Sequence, residues 1–324
     1  MKAQVYRNSW PIRGSFTISR GSKTQADTVV VELESEGFVG RGECVPYARY
    51  GESVESVEAE LTELIPKLES GMSRDELQKV LPSAAARNAI DCAMWDLECK
   101  LKGCSVWQLL DITPKPVETA FTISIDSPKA MEKAASQNAF RPLLKVKLGG
   151  EDDIERLKAV RKGAPDSKII IDANEAWTPE LYQRILPELI ELDIAMIEQP
   201  FPANDDEALS ILPRPIPICA DESCHDRETL SKIAGRYDMI NIKIDKTGGL
   251  TEGLLLKEQA EQSGLKVMVG CMLSSSLSMA PAFVVAQGVD IVDLDGPLLL
   301  SEDIEDGFVF TDNEMLPFTS NLWG

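Results

Sequence analysis

The chain has 324 residues, 44% hydrophobic and 27% charged, which suits one large α/β barrel, alone or with a smaller companion domain. Fifty-three acidic residues against 33 basic ones give a net charge of −20, a field that repels nucleic acid and anionic membranes. No apolar run approaches a membrane span, the opening MKAQVYRNSW lacks a signal-peptide core, and the seven cysteines include no C-x-x-C pair, so a cytoplasmic protein with free thiols is expected.

Residues 1–113 read as a separate α+β unit. Strands are predicted at Lys2–Arg7, Ser15–Arg20 and Thr28–Glu34, the last ending at a Glu36-Gly37 turn. A helix follows from Ser53, its N-cap, to Glu69, and Gly71 ends it. A second helix covers Ala84–Lys102, with Ala85, Ala89, Cys92, Ala93 and Leu97 along one face. Thr113-Pro114-Lys115-Pro116 then reads as an extended linker.

From residue 117 to 307 short apolar runs alternate with amphipathic helices. The runs AFTIS, LLKVKLG, KIIIDA, IAMIEQ, IPICADE, MINIKID, KVMVG and DIVDLD recur at intervals of 22 to 27 residues, the length of a strand, a loop and a crossover helix. Eight such runs predict a closed parallel barrel. A doubly wound sheet is the rival, but no G-x-G-x-x-G follows an early strand.

A barrel of this kind carries its active site at the C-terminal ends of the strands. Lys145 and Lys147 close the second run, Asp172 the third, Glu198 the fourth and Asp221 the fifth; Lys243 lies in the sixth, and Asp293 and Asp295 close the eighth. One carboxylate at a strand end commonly caps the next helix. Three on successive strands, brought together, need a cation, and an all-oxygen set favours magnesium before calcium. Lys145 and Lys147 are i and i+2, so they share a side of their strand; if that side is the lumen, a second positive charge is expected to lower its neighbour's pKa. Such lysines could take a proton from carbon, with Lys243 across the barrel returning one to the opposite face; they would equally serve to neutralise the carboxylates. Lys246-Thr247-Gly248-Gly249 lacks the spaced first glycine of a phosphate loop and reads as a tight strand-to-helix turn. The one histidine, His225, cannot build a multi-histidine zinc centre.

K-V-K at Lys145–Lys147, D-A-N at Asp172–Asn174, E-Q-P at Glu198–Pro200, D-E-S at Asp221–Ser223 and N-I-K-I-D-K-T-G-G at Asn241–Gly249 follow in one order. The set resembles the muconate-lactonizing subgroup of the enolase superfamily over essentially the whole chain. Within that subgroup it is most similar to bacterial dipeptide epimerases, those for L-Ala-D/L-Glu in particular. The resemblance implies a modified (β/α)7β barrel under an N-terminal capping domain, completed by a C-terminal tail of about residues 308–324. It implies Asp172, Glu198 and Asp221 as ligands of one Mg2+ per subunit, Lys147 and Lys243 as the acid/base pair, and Lys145 as the helper that tunes Lys147. The implied reaction is 1,1-proton transfer through an enediolate at the C-terminal residue of a dipeptide, in the recycling of murein peptides. The D-x-D pair Asp293/Asp295 would receive the substrate ammonium, and Arg20, in R-G-S-K-T between two early strands, would meet a glutamate carboxylate. N-acylamino acid racemases, o-succinylbenzoate synthases and muconate cycloisomerases keep the same lysines and carboxylates, so they remain the alternatives, as does a dipeptide epimerase of different specificity. A non-catalytic descendant would be expected to have lost one of those groups, and none is missing. The expected partner is a small dipeptide, with no nucleic acid or membrane; homo-oligomerisation stays open.

Overall fold

The computed structural model describes residues 1–312 and 314–324. It begins with a three-stranded antiparallel sheet of β1 (Lys2–Ile18), β2 (Gly21–Ser35) and β3 (Phe38–Cys44), in that order. Lys2–Arg7 and most of Ser15–Arg20, expected as two strands, are one: β1 runs through both, with a register shift against β2 between Pro11 and Phe16. Pro11 has no N–H to give the ladder, and Gly14 takes a φ of 77° within the irregularity. Strand β3 is not foreseen by apolar alternation because Gly40 and Gly42 interrupt it. A Cβ at Gly40 would stand 2.3 Å from the Ala93 carbonyl oxygen, and one at Gly42 would stand 2.1 Å from that of Ala89. The glycines that weaken the strand signal let a helix lie directly on the strand.

That helix is α3 (Ala85–Lys102), preceded by α1 (Val54–Glu69) and α2 (Arg74–Val80). Ser53 caps α1 through a capping box with Ser56, and Val57, Leu61, Leu64 and Leu68 are buried at helical spacing against the sheet. The expected face of α3 is buried, but so is most of its circumference, because its other side meets the barrel. There Arg87 Nη2 donates to Thr247 O at 2.6 Å, and Trp95 Nε1 to Thr251 Oγ1 at 2.9 Å.

After α4 (Val106–Leu109) and β4 (Val117–Glu118) come β5 (Phe121–Ile123), α5 (Pro128–Gln137), β6 (Leu143–Lys147), α6 (Asp153–Gly163), β7 (Lys168–Asp172), α7 (Pro179–Glu191) and β8 (Ile194–Glu198). They are followed by β9 (Ile218–Ala220), α8 (Arg227–Ile233), β10 (Met239–Ile242), α9 (Ile244–Thr247), α10 (Leu250–Gln262), β11 (Lys266–Gly270), α11 (Ser276–Val285), β12 (Ile291–Asp293) and α12 (Gly296–Leu299). Strands β5 to β12 form one parallel eight-stranded sheet in chain order, and Ala120 N donates to Val292 O at 2.9 Å to bring its two edges together. The β8–β9 crossover holds only a 3₁₀ turn at Glu207–Ser210, since Pro200, Pro202, Pro213, Pro215 and Pro217 leave little room for a helix. A last strand, β13 (Glu314–Met315), pairs with β4. The end of the chain returns to the first sheet: Trp323 Nε1 donates to Arg41 O at 3.0 Å, and Gly324 N to Asp96 Oδ1 at 2.7 Å. Asn313, within the expected tail, lies outside the described residues. The seven cysteines are free, and no described helix is long and apolar enough to cross a membrane.

The lumen is built in layers. Ala120, Leu143, Ile170, Met196, Cys219, Met239, Met268 and Ile291 form a buried apolar plug, drawn from along the eight strands. A strand repeats its facing every two residues, so the next layer is Thr122, Lys145, Asp172, Glu198, Asp221, Asn241, Gly270 and Asp293. The switch from an all-apolar layer to one dominated by charge marks the floor of the site.

Candidate active site

Asp172, Glu198 and Asp221 bring carboxylate oxygens within 4.8 Å of one another, and all three are buried. The backbone bends sharply just past two of them: Asn174, Glu175 and Gln199 hold φ of 45°, 67° and 35°. Such left-handed non-glycine residues are strained unless their surroundings enforce them. Here Asn174 N donates to Asp172 Oδ1 at 2.9 Å and Glu175 N to Gln199 O at 2.9 Å. The Gln199 side chain in turn accepts from Asp221 N at 2.9 Å and Ser223 N at 3.1 Å, which ties the ends of β8 and β9 together.

The lysines stand among these carboxylates. Lys147 Nζ lies 2.6 Å from Asp172 Oδ2, and Lys243 Nζ lies 2.6 Å from Asp221 Oδ2. Their strands, β6 and β10, are four places apart in an eight-stranded barrel, so they face each other across the lumen with the acidic trio on the arc between. Lys145, one layer deeper, reaches Glu198 at 2.6 Å, Asp293 at 2.7 Å and Asp172 at 3.3 Å. Against the cost of full burial, the charges of Lys147, Lys145 and Lys243 hold the Asp172 carboxyl below the usual range. Burial and the neighbouring Asp172 charge push Glu198 up. Burial also works against charge at Lys145, but Asp293, Glu198 and Asp172 hold its ammonium well above the usual lysine range. At Lys243, Asp221 and Glu198 overcome burial in the same direction.

Three buried carboxylates with oxygen atoms this close form a donor set for a hard divalent ion, so the trio fits a magnesium-sized cation. Asp293 points into the lumen but is engaged by Lys145, while Asp295 Oδ2 accepts from Thr122 N at 2.7 Å. Burial and the charge of Asp293 push the Asp295 carboxyl up to about 7. Above the floor lies a cavity of about 470 Å3, roofed by the β1–β2 turn and the segment after β3. Its charged lining is mostly cationic, from Arg20, Lys23, Arg49, Lys147 and Lys243, against Asp27 and Asp221; Asp293 and Asp295 do not line it.

Arg20 stands in the roof, where Nη2 donates to Glu222 Oε1 at 2.7 Å and to Tyr47 OH at 3.0 Å, and Nη1 donates to Asn174 O at 3.0 Å. Arg49 grips both oxygens of Glu175 at 2.6 and 2.7 Å. Glu222, Tyr47, Arg49 and Glu175 complete this roof network, and sequence reasoning does not single them out. Glu222 sits inside the D-E-S motif beside a carboxylate already chosen, and that adjacency was the available signal.

The chain matches two family models: the enolase C-terminal domain-like family over residues 128–315, and the mandelate racemase/muconate lactonizing enzyme N-terminal domain over residues 1–111. It is 48% identical to L-Ala-D/L-Glu epimerase of Escherichia coli K12 over 315 residues, 96% of this chain and 98% of the relative. It is 44% identical to N-acetyl-D-glutamate racemase of a Pseudoalteromonas species over 298 residues, 91% and 95% of the two chains. Among solved structures, an Agrobacterium tumefaciens enolase family member with homology to dipeptide epimerases, bound to sodium and L-Ala-L-Glu, superposes with a TM-score of 0.98 at 49% identity, covering 100% of this chain and 99% of that one. A dipeptide epimerase from Enterococcus faecalis, complexed with magnesium and L-Leu-L-Tyr, gives a TM-score of 0.89 at 30% identity, covering 98% and 96%.

Proposed function

Since the chain belongs to the mandelate racemase/muconate lactonizing branch of the enolase superfamily, we propose that it is a magnesium-dependent dipeptide epimerase that interconverts L-Ala-D-Glu and L-Ala-L-Glu. The observation that carries this reading is the pair Lys147 and Lys243, opposed across the acidic trio under a cavity lined mainly by cations. A dipeptide ending in glutamate carries two carboxylates, which suits such a lining inside a protein of net charge −20.

Asp172, Glu198 and Asp221 would hold the magnesium, one ion per subunit. Bound there, it supplies positive charge for the substrate carboxylate and for the negative charge that loss of the α-proton leaves behind. One lysine, neutral at Nζ, takes the α-proton; the other, an ammonium, gives its proton to the opposite face of the carbon. The carbon is inverted and the two lysines are left with exchanged protonation states, which proton exchange with solvent resets before another turnover in the same direction. Lys145, held by Glu198 and Asp293, keeps a fixed positive charge beneath the reacting centre. Arg20 would orient the glutamate side chain; the ammonium would go to Asp293 and Asp295, which are buried at and just past the end of β12 and lie outside the cavity's lining. A cytoplasmic role in recovering murein peptides is part of the proposal.

A second reading is racemisation of an N-acylated glutamate. It is favoured by the 44% identical racemase and by the pairing of Asp293 with Lys145, which leaves that carboxylate engaged before any ammonium arrives. Turnover of L-Ala-L-Glu and N-acetylglutamate, followed by α-proton exchange in heavy water, separates the two. The epimerase reading expects the free dipeptide to be the better substrate by kcat/KM and expects activity to vanish in excess chelator. A clear preference for the acetylated substrate overturns the dipeptide assignment, and full activity in metal-free enzyme overturns the magnesium.

A further inference from the structure

The K-T-G-G turn that follows Lys243 builds something of its own. Helix α9 is a single turn, ended by Gly248 at φ 73° and Gly249 at φ 111°. Both glycines are required for space as well as conformation: a Cβ on Gly248 would stand 2.3 Å from Arg87 Nε, and one on Gly249 would stand 2.5 Å from Asp91 Oδ2. The tight turn folds Lys246 back beneath the strand ends, where it is 1% exposed. Its Nζ meets Asp221 Oδ1 at 2.6 Å and three carbonyl oxygens, those of Asp221 at 2.5 Å, Cys224 at 2.8 Å and Asn241 at 3.0 Å. A buried lysine costs much desolvation, and this one touches no cavity-side acid other than a member of the trio.

On β10, Asn241 does the same for a second member. Its Nδ2 donates to Glu198 Oε1 at 2.7 Å, and Gly270 leaves room for it, since a Cβ there would stand 2.7 Å from Asn241 Oδ1.

We propose that Lys246 and Asn241 are positioning residues for the cation site, fixing Asp221 and Glu198 so that the trio accepts a small octahedral ion. The inference rests on the magnesium reading above. Lys246 holds one Asp221 oxygen while Lys243 holds the other, and it also pins the carbonyls at the ends of β9 and β10. Removing its charge alone would strengthen cation binding, because the trio would become more negative. Removing its positioning would weaken it, and more for Mg2+, which demands near-ideal octahedral geometry, than for Ca2+, which tolerates irregular ligands. The two roles of the one ammonium therefore predict opposite signs.

The test is calorimetric titration of substrate-free enzyme with MgCl2 and with CaCl2, for the parent, Lys246→Met and Asn241→Ser, each checked for folding by circular dichroism. Both variants are expected to lose about 10- to 100-fold in Mg2+ affinity, as loss of a group orienting a metal ligand does elsewhere, with a smaller loss for Ca2+. Unchanged or tighter Mg2+ binding by folded Lys246→Met overturns the inference, as does an equal loss for both ions. If Lys246→Met does not fold, Asn241→Ser decides on the same criteria. A parent that binds no Mg2+ would instead overturn the magnesium reading itself.

Discussion

The barrel end of the site is held by buried charge on strands, whereas the roof is held by partly exposed arginines on turns. Lys145, Lys147 and Lys243 have side chains 1%, 8% and 7% exposed, and each pairs with a carboxylate on or just past the end of another strand. Arg20 and Arg49 are 27% and 35% exposed, and their partners Glu175 and Glu222 lie on loops at the barrel mouth. Proton transfer needs donor and acceptor held to a fraction of an ångström, which paired strands provide; reading a variable side chain needs groups that can shift or be replaced, which turns provide. The two regions should therefore respond to mutation differently, in rate at one end and in selectivity at the other.

The largest effects are expected on the floor. Lys147→Ala and Lys243→Ala should each lower kcat/KM for epimerisation by about 10²- to 10⁴-fold, because inversion needs a group on each face. Each variant should still exchange the α-proton of one epimer, and the two should favour opposite epimers when followed by proton NMR in heavy water. Exchange of the same epimer by both would break the assignment of opposed roles.

Next comes the junction that carries the roof on the barrel. Glu43 on β3 accepts from Ser275 N at 3.0 Å and Ser275 Oγ at 2.9 Å at the start of α11, and burial pushes its carboxyl up to about 7. A carboxyl raised in the folded state contributes its stability fully below the unfolded value near 4.5, and that stability is lost as pH rises through about 7. The loss is on the order of 3 kcal/mol. Glu43→Gln, which keeps an acceptor and cannot ionise, should match the parent near pH 4 and exceed it in Tm near pH 8. Parallel Tm–pH curves for the two proteins would show that Glu43 does not titrate in this range.

Much of the floor was legible because period-two alternation and carboxylates at strand ends are local signals; the expected runs coincide with the starts of β5 to β12 to within two residues. The roof was less so. Strand β3 is broken by glycines whose reason is helix α3, far along the chain, and the β1 irregularity divides one strand into two apparent ones. Pairings across the barrel, such as Lys145 with Asp293 or Arg20 with Glu222, depend on closure and leave no mark on neighbouring residues. Lys246 was visible only as part of a turn, since nothing in K-T-G-G says that its side chain folds back beneath Asp221.

A roof substitution of intermediate size sharpens the contrast. Arg20→Ala removes a charge-assisted hydrogen bond proposed to hold the glutamate carboxylate, worth about 1.5–3 kcal/mol or roughly 10- to 150-fold in kcat/KM. The loss should fall on L-Ala-L-Glu and largely spare a dipeptide with an uncharged second residue. An equal loss on both would make Arg20 a support for the turn, through Glu222 and Tyr47, and would remove it from selectivity.

The smallest expected effect is at Asp295, and it bears most directly on which substrate the site takes. Asp293→Asn is a poor probe, because Asp293 lies 2.7 Å from Lys145 and its loss disturbs the floor along with any ammonium site. Asp295→Asn is cleaner: the amide oxygen can still accept from Thr122 N, as Oδ2 now does at 2.7 Å, so β5 keeps its tie. Only the charge is removed. Exchanging a charged acceptor for a neutral one should weaken a bond to the substrate ammonium by about 1 kcal/mol, roughly fivefold in kcat/KM for L-Ala-L-Glu. N-acetylglutamate has no ammonium and should be unaffected. Because burial beside Asp293 pushes the Asp295 carboxyl up to about 7, the parent's preference for the free dipeptide should grow between pH 6 and pH 8, and the variant should lose that growth. If kcat/KM for the two substrates falls equally, or the parent's preference is flat with pH, the ammonium is received elsewhere and the acyl-substrate reading gains.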